Sequence, residues 1–367
     1  MLNSTDPASE QQTLDLAVQH HTAGDLSKAE NIYQQVLQTD PNHPGALHLL
    51  GVISHQKGEN DRAVELITKA LLIKPDYAEA HNNLGAALKE LGQAEKAIES
   101  YQKAVDIEPE YAEAHNNLGN DLRELGQLEE AVSSCQKAVD IKPDLAEGYI
   151  NLGLGLQKMG NVDKAVSSFQ KALVIKPEFA NAHNSLGGAL KELGKLEEAE
   201  ASYRKALDIK PDFVEVYSNL GVALKELGKL EEAVECYQKA LNIKPNFAEA
   251  HSNLGNVLRE LGRLEEAVAS CQKAVDINPN LAEAHANLGN VLLNLKQPDE
   301  AVDHCHKALA IKPNYAYANY TLGNALLKKG NYKEGLKQIL KGKGVIEFRN
   351  DKSHQFQLLM GHEWGEI

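Results

Sequence analysis

The residues of this sequence best able to do chemistry recur in a short motif. Residues 79–85 read EAHNNLG, residues 113–119 repeat those letters, and residues 249–255 read EAHSNLG. A histidine ring can bind a metal ion or move a proton, and an asparagine amide can both donate and accept hydrogen bonds. The motif therefore indicates either a metal or acid–base site or a series of hydrogen-bonding groups. The elements that position these residues decide between the two.

The motif belongs to a unit of 34 residues that fills most of the 367-residue chain. Glycine, proline and alanine each recur at this period, which is typical of a repeat architecture. Counting from residue 10 predicts ten units, at 10–43, 44–77, 78–111, 112–145, 146–179, 180–213, 214–247, 248–281, 282–315 and 316–349. The last unit is degenerate, with Gly335 and Gly342 in place of alanine and Glu347 in place of proline. Residues 1–9 are predicted to be a flexible N-terminus and residues 350–367 a C-terminal tail.

Each unit reads as two helices. In residues 78–111, His81, Leu84, Gly85 and Leu88 have the spacing of one helical stripe, and this helix is expected to end at Gly92. A second stripe follows and stops before a proline, because the residue that precedes proline is disfavoured in a helix. One such pair cannot bury its apolar face alone, so stacking of neighbouring pairs must supply the stability. We number the places within each unit from one to thirty-four.

This pattern resembles the tetratricopeptide repeat, and the resemblance covers residues 10–349. It rests on the Leu-Gly of the first helix, the glycine turn, the small residue that opens the second helix, the following aromatic residue and alanine, and the closing proline. The resemblance implies an all-α fold, a right-handed superhelical solenoid of about ten helix–turn–helix repeats. It also implies a concave groove lined by the first helix of each pair.

Asparagine recurs at the sixth and ninth places, on the side of the first helix opposite its apolar stripe. We expect these side chains to hold the backbone of an extended peptide in the groove, since an amide pairs with any peptide backbone. The alternatives are local bonds to helix carbonyls, simple solvation, or neutral copying of a duplicated unit. The predicted peptide-binding residues are Asn83, Asn117, Asn120, Asn151, Asn219, Asn253, Asn256, Asn287 and Asn290.

Charge favours a neutral to basic protein partner. The formal net charge is −14, which opposes binding to nucleic acid or to an anionic membrane. Glutamates at the second and thirteenth places are expected to make the groove margins acidic, although a solvated charged face explains them equally well. No apolar run is long enough to span a membrane, and no secretory leader is recognisable, so a cytoplasmic location is expected.

The histidines and cysteines are predicted to be structural. Equivalent histidines lie in different repeats, about 8–10 Å or more apart, too far to share one metal ion. These fourth-place residues are His81, His115, His183, His251 and His285. Cys135, Cys271 and Cys305 replace aromatic residues and read as small core side chains. Phosphate-binding and hydrolase motifs are absent, so we expect no catalytic residue, no metal and no cofactor.

The sequence therefore predicts a non-enzymatic scaffold that binds an extended segment of another protein. The asparagine series and the stretch from Ala23 to Gly58 also resemble the superhelix of O-linked N-acetylglucosamine transferase-like proteins, where such asparagines hold the substrate backbone. That resemblance implies an alternative, a substrate-recruiting module of a protein O-glycosyltransferase system whose catalytic domain is not in this chain. Self-association through the superhelix ends is a further possibility.

Overall fold

The computed structural model describes residues 7–343, 347–350 and 356–359, and it describes side chains for residues 12–342. Residues 1–6 of the expected flexible N-terminus, most of the tail, and Trp364 lie outside the described residues. The first described helices are α1 (Pro7–Thr22), α2 (Leu26–Thr39), α3 (Pro44–Gln56), α4 (Asn60–Ile73), α5 (Ala78–Glu90), α6 (Ala94–Ile107), α7 (Ala112–Glu124), α8 (Leu128–Ile141), α9 (Ala146–Lys158) and α10 (Val162–Ile175). They are followed by α11 (Ala180–Glu192), α12 (Leu196–Ile209), α13 (Val214–Glu226), α14 (Leu230–Ile243), α15 (Ala248–Glu260), α16 (Leu264–Ile277), α17 (Ala282–Asn294), α18 (Pro298–Ile311), α19 (Ala316–Lys328) and α20 (Tyr332–Lys343).

The helices end where the turn residues require it. Gly92 and Gly126 have φ of +71° and +81°, a left-handed conformation that glycine adopts without steric cost. Lys296 occupies the equivalent turn with φ of +60° although it carries a side chain. In the first nine repeats the second helix stops before the proline, and at Lys74 the backbone N–H closes the helix on the carbonyl of Ala70 at 2.8 Å. The predicted all-α class of stacked helix pairs is confirmed.

In repeats two to ten the two helices approach closely because the eighth place is glycine, whereas the first repeat has Ala17 there. A Cβ atom on Gly85 would lie 2.7 Å from the Tyr101 ring, too close for an unstrained contact. In the next repeat, where Cys135 replaces the ring, a Cβ on Gly119 would lie 2.9 Å from the carbonyl oxygen of Ala131. A small residue at the twenty-fourth place thus lets the backbones of the two helices come together, which leaves no room for a side chain in place of the eighth-place glycine.

Clustering of contacts divides the chain into two compact units, Met1–Ala189 and Leu190–Ile367, with the boundary inside α11. In the first unit each of the helices α1 to α10 packs on its neighbour along this series, and the first helices α3, α5, α7 and α9 also contact one another in order. The second unit repeats this arrangement with the first helices α13, α15, α17 and α19. In each unit the first helices therefore form one layer.

The described chain contains one pair of strands beyond α20. Strand β1 (Glu347–Asn350) pairs antiparallel with β2 (Phe356–Leu359), and Glu347 lies opposite Leu359. The second helix of the degenerate last repeat is formed nonetheless and runs from Tyr332 to Lys343. Among the described residues, no helix has the length and apolar character that crossing a membrane requires.

Candidate functional site on the layer of first helices

The sixth-place asparagines all lie on first helices, within the two layers just described. Asn83, Asn117 and Asn151 are on the successive first helices α5, α7 and α9, and all three side chains are half-buried. Asn219 and Asn253, on α13 and α15, are also half-buried, whereas Asn287 on α17 is 8% exposed. The structure therefore places these residues in two series of neighbouring helices rather than scattering them.

Most of these amides are anchored to the preceding repeat. Nδ2 of Asn117 donates a hydrogen bond to Oδ1 of Asn82 at 3.0 Å, and Asn151 donates to Asn116 at 2.9 Å. Asn287 likewise donates to Oγ of Ser252 at 2.9 Å. The acceptor is in each case the fifth-place residue of the repeat before, so the bond joins two adjacent first helices.

The His-Asn-Asn motif thus contains a donor and an acceptor for this contact. Its first asparagine, at the fifth place, accepts from the following repeat, and its second, at the sixth place, donates to the preceding one. In repeat two the fifth place is His48, whose Nε2 accepts from Nδ2 of Asn83 at 2.8 Å. Sequence reasoning missed the fifth place, although the adjacency of the two asparagines was a signal for it. Asn253, which follows a repeat with Ser218 at the fifth place, makes no side-chain hydrogen bond within the described region.

The anchored amides retain an unused acceptor. Oδ1 of Asn83, Asn117, Asn151 and Asn287 accepts no hydrogen bond from any described residue. Because Nδ2 holds each amide group in place, the orientation of the oxygen is set before any ligand arrives. A held carbonyl oxygen is suited to accept a peptide N–H.

The ninth-place asparagines are more occupied. Oδ1 of Asn120 accepts from Nη2 of Arg123 at 2.7 Å, and Oδ1 of Asn256 accepts from Nη2 of Arg259 at 3.1 Å. Nδ2 of Asn290 donates to the hydroxyl of Tyr317 at 2.6 Å. Two of these three residues therefore have their amide oxygen engaged by an arginine of their own helix.

A buried carboxylate adjoins Asn120. Asp121 is 3% exposed, its Oδ1 pairs with the ammonium group of Lys89, and its Oδ2 has no hydrogen-bond partner among the described residues. Burial opposes the charge of Lys89, but its hydrogen bonds and attraction to Asp121 and Glu124 raise its pKa. The equivalent place in the preceding repeat is Ala87, so the aspartate in NDLRELG is a departure from the repeat that is visible in the sequence itself.

Many margin glutamates are paired within the fold. Glu113 binds Lys142 at 2.7 Å, and this hydrogen bond holds the pKa of the Glu113 carboxyl below its usual value. Further contacts of this kind join Glu147 to Lys176, Glu283 to Lys312, Glu124 to Lys89, Glu226 to Lys191 and Glu260 to Lys225. Among the described residues, Glu79, Glu90, Glu215 and Glu249 have no ion pair. These second- and thirteenth-place glutamates thus carry less uncompensated negative charge than the sequence alone indicates.

The fourth-place histidines bind the loop that precedes their own helix. Nε2 of His81 lies 2.9 Å from the carbonyl oxygen of Pro75, and His115 contacts Pro109 at the same distance. The same contact joins His183 to Pro177, His251 to Pro245 and His285 to Pro279. These histidines connect consecutive repeats, which extends the packing role inferred from the sequence.

The three twenty-fourth-place cysteines are buried against glycine, as the sequence predicts. Burial raises the pKa of the Cys135 thiol to about 12, and it does the same for Cys271 and Cys305. A thiol with such a pKa remains protonated near neutral pH and is a poor nucleophile. Within residues 12–342, no group of three or more histidine, cysteine, aspartate or glutamate residues is arranged to hold a metal ion.

Comparison with known families finds repeat models along most of the chain. Residues 76–277 match the model described as Cilia and flagella-associated protein 70 C-terminal domain, which is more than half of the chain. Residues 20–88 and residues 282–315 each match a model described as Tetratricopeptide repeat. No curated protein matches the chain significantly.

Solved structures share the fold. The crystal structure of the APC/C hetero-tetramer Cut9–Hcn1 contains a chain that is 22% identical, with a TM-score of 0.58, over 82% of this chain and 59% of that one. The matched region thus spans less than two thirds of the length of that protein. The pilF protein of Pseudomonas aeruginosa is 21% identical with a TM-score of 0.50, over 56% of this chain and 94% of its own. At these identities the likeness is one of fold alone.

Proposed function

The chain belongs to the tetratricopeptide repeat family. We propose that it is a non-catalytic scaffold that binds an extended peptide segment. The tetratricopeptide fold suggests a protein–protein interaction scaffold. The finer proposal is that the layer of first helices within one unit holds the backbone of the bound segment, and that the sixth-place asparagines of that layer make those contacts.

One observation carries this proposal. On α7 and α9 the amide groups of Asn117 and Asn151 are held by their Nδ2 hydrogen bonds, while their Oδ1 atoms accept nothing from the described residues. Two fixed acceptors on neighbouring first helices are suited to N–H groups of one extended backbone. Fixing them beforehand reduces the entropy that is lost when the ligand binds.

The partner is proposed to be neutral to basic. Glu79 and Glu90 on α5 have no ion pair among the described residues, and Glu215 and Glu249 on α13 and α15 share this property. Unpaired carboxylates beside the first-helix layer attract a basic segment and repel an acidic one. Since most of the other margin glutamates are neutralised by lysines, the preference depends on a few carboxylates and should weaken as salt is added.

The test is selection of peptides from an unbiased display library on the immobilised chain. Selected peptides are then synthesised with single N-methyl groups along the backbone and, separately, with single alanine substitutions. Backbone recognition predicts that at least two N-methylated positions lose about tenfold in affinity, because each removes a hydrogen bond and leaves its acceptor unpaired, at a cost of about 1–3 kcal/mol. Most alanine substitutions should have a smaller effect.

Matched protein variants complete the experiment. Asn117→Ser and Asn151→Ser together introduce the residue that repeat six has at its own sixth place, Ser185. Asn82→Ser and Asn116→Ser together change only the fifth place, where Ser252 is native in repeat eight. The first pair should weaken peptide binding more than the second, because it removes the proposed acceptors, whereas serine at the fifth place can still accept from a sixth-place asparagine, as Ser252 does from Asn287. Equal binding by all variants, or a library that yields no binder, would show the proposal to be wrong.

A further inference from the structure

Two histidines of repeat nine meet across its helix pair. Nδ1 of His285, on α17, lies 3.1 Å from Nδ1 of His304, on α18. Their ring centroids are 5.3 Å apart and the ring planes are inclined by 31°. The argument that separates histidines of different repeats does not apply to this pair, because both rings belong to one repeat and face each other between its two helices.

The tautomer of His285 is set by its second contact. Its Nε2 lies 3.0 Å from the carbonyl oxygen of Pro279, and a carbonyl can only accept a hydrogen bond. Nε2 therefore carries the proton, and Nδ1 presents its lone pair toward His304. A histidine that donates one ring N–H to a backbone carbonyl and offers its other nitrogen has the arrangement usual for metal-ligating histidines.

We propose that His285 and His304 form a binding site for a divalent transition-metal cation, held by their two Nδ1 atoms and completed by water. Two nitrogens 3.1 Å apart, each about 2.0–2.1 Å from the ion, subtend roughly 100° at the metal, between octahedral and tetrahedral values. To bind, His304 moves its ring proton from Nδ1 to Nε2, so both ligands are neutral imidazoles and no proton is released. Imidazole favours copper, nickel and zinc, with Cu²⁺ the strongest of the three.

The surroundings keep both rings in the ligand form. Burial lowers the pKa of His304 to about 4, and burial also lowers that of His285. Lys307 lies close enough to disfavour positive charge on both rings, whereas Asp303 favours it on His304. The ammonium group of Lys307 opposes a cation, so the site should bind an exchangeable ion rather than a permanent structural one. His304 is half-buried, so part of its side chain remains in contact with solvent.

Repeat nine differs from its relatives at this point. Wherever another repeat has histidine at the fourth place, the twenty-third place is serine, as in Ser100, Ser134, Ser202 and Ser270. The fold thus accepts serine opposite the fourth-place histidine. Packing does not require a second imidazole at the twenty-third place, yet repeat nine has one in His304. Tyr149 and Tyr217 show that tyrosine is likewise accepted at the fourth place.

The test titrates the full chain with Zn²⁺ and with Cu²⁺, each as the metal ion alone, and compares three variants with the parent. His304→Ser and His285→Tyr each introduce a residue that other repeats have at the same place, and His306→Ser is the control, two residues from His304 on the same helix. Circular dichroism first verifies equal helicity. The first two variants should each lose one bound ion or bind it at least tenfold more weakly, and the double variant should show no larger loss of metal binding than either single variant. His306→Ser should retain that ion.

Ring nitrogen NMR gives a readout that a structural role would not change. Without metal, His285 should show the Nε2–H tautomer, and one equivalent of Zn²⁺ should shift Nδ1 of both His285 and His304. Cu²⁺ bound at this site should show two imidazole nitrogens by pulsed electron paramagnetic resonance. The inference is overturned if His304→Ser binds both ions as the parent does, or if Zn²⁺ leaves the two Nδ1 resonances unchanged.

Discussion

Mild acid should destabilise the second and third repeats through His48. This ring is 3% exposed and lies between α3 and α5, where its Nδ1 is 3.0 Å from the Tyr77 hydroxyl and its Nε2 accepts from Asn83. Burial lowers the pKa of His48 from 6.5 to about 4. Protonation also places a second N–H against the Asn83 amide, which must then turn and release its present bond.

The sign of the effect follows from linkage. The unfolded chain binds the proton more readily than the folded one, so the stabilisation is complete above pH 6.5 and is lost as the pH falls toward 4. A shift of this size corresponds to about 3 kcal/mol of stability, since each pKa unit is worth about 1.4 kcal/mol. That is a large fraction of the stability of an ordinary domain.

The matched variant is His48→Asn, because asparagine is native at the fifth place in repeats three and four and can still accept from Asn83. Hydrogen exchange of the α3 and α5 amides, measured from pH 7 to 4 and corrected for the intrinsic exchange rate, reports local opening. The parent chain should lose protection in these helices relative to the variant as the pH falls. Amides of α15 should show no such difference. If the difference between parent and variant does not change with pH, the burial argument for His48 is refuted.

Two further substitutions test the backbone arguments. Lys296→Gly should raise the free energy of unfolding by about 1 kcal/mol, because it relieves a left-handed conformation that is costly for a residue with a side chain. Thermal unfolding followed by circular dichroism measures this gain. An unchanged or lower melting temperature would contradict the reasoning. Gly119→Ala should instead cost about 1–3 kcal/mol, because the Ala131 carbonyl is backbone and cannot move aside as a side chain can. Urea unfolding measures this loss, and Ser133→Ala, at an exposed position, is the control. A Gly119→Ala variant as stable as the parent would argue against close backbone packing.

The helical organisation could be predicted because it depends on local signals. Glycine at Gly92 and Gly126 and proline at Pro75 and Pro109 recur at a fixed period, and each acts within a few residues of its own position. The burial of Cys135 could be predicted in the same way, since it replaces an aromatic residue at a core place. Such inferences require only that equivalent positions have equivalent surroundings.

The candidate site was less predictable, because its contacts join residues far apart in the chain. Asn117 was placed on the correct helix, but its bond to Asn82 depends on the offset between adjacent first helices, which no periodicity reveals. The pairing of Glu113 with Lys142 could not be predicted for the same reason, since it crosses from one helix to another.

The sequence by itself determined the repeat, the helix pairs and the residue types available at each place, because these follow from turn chemistry and the periods of apolar residues. Only the tertiary structure decided which amide atoms are used and which remain open on Asn117 and Asn151, and that His285 and His304 face each other. Hydrogen bonds and metal ligation depend on distances of a few ångströms and on orientation. Those quantities arise when helices pack together, and they are not contained in the order of residues along one helix.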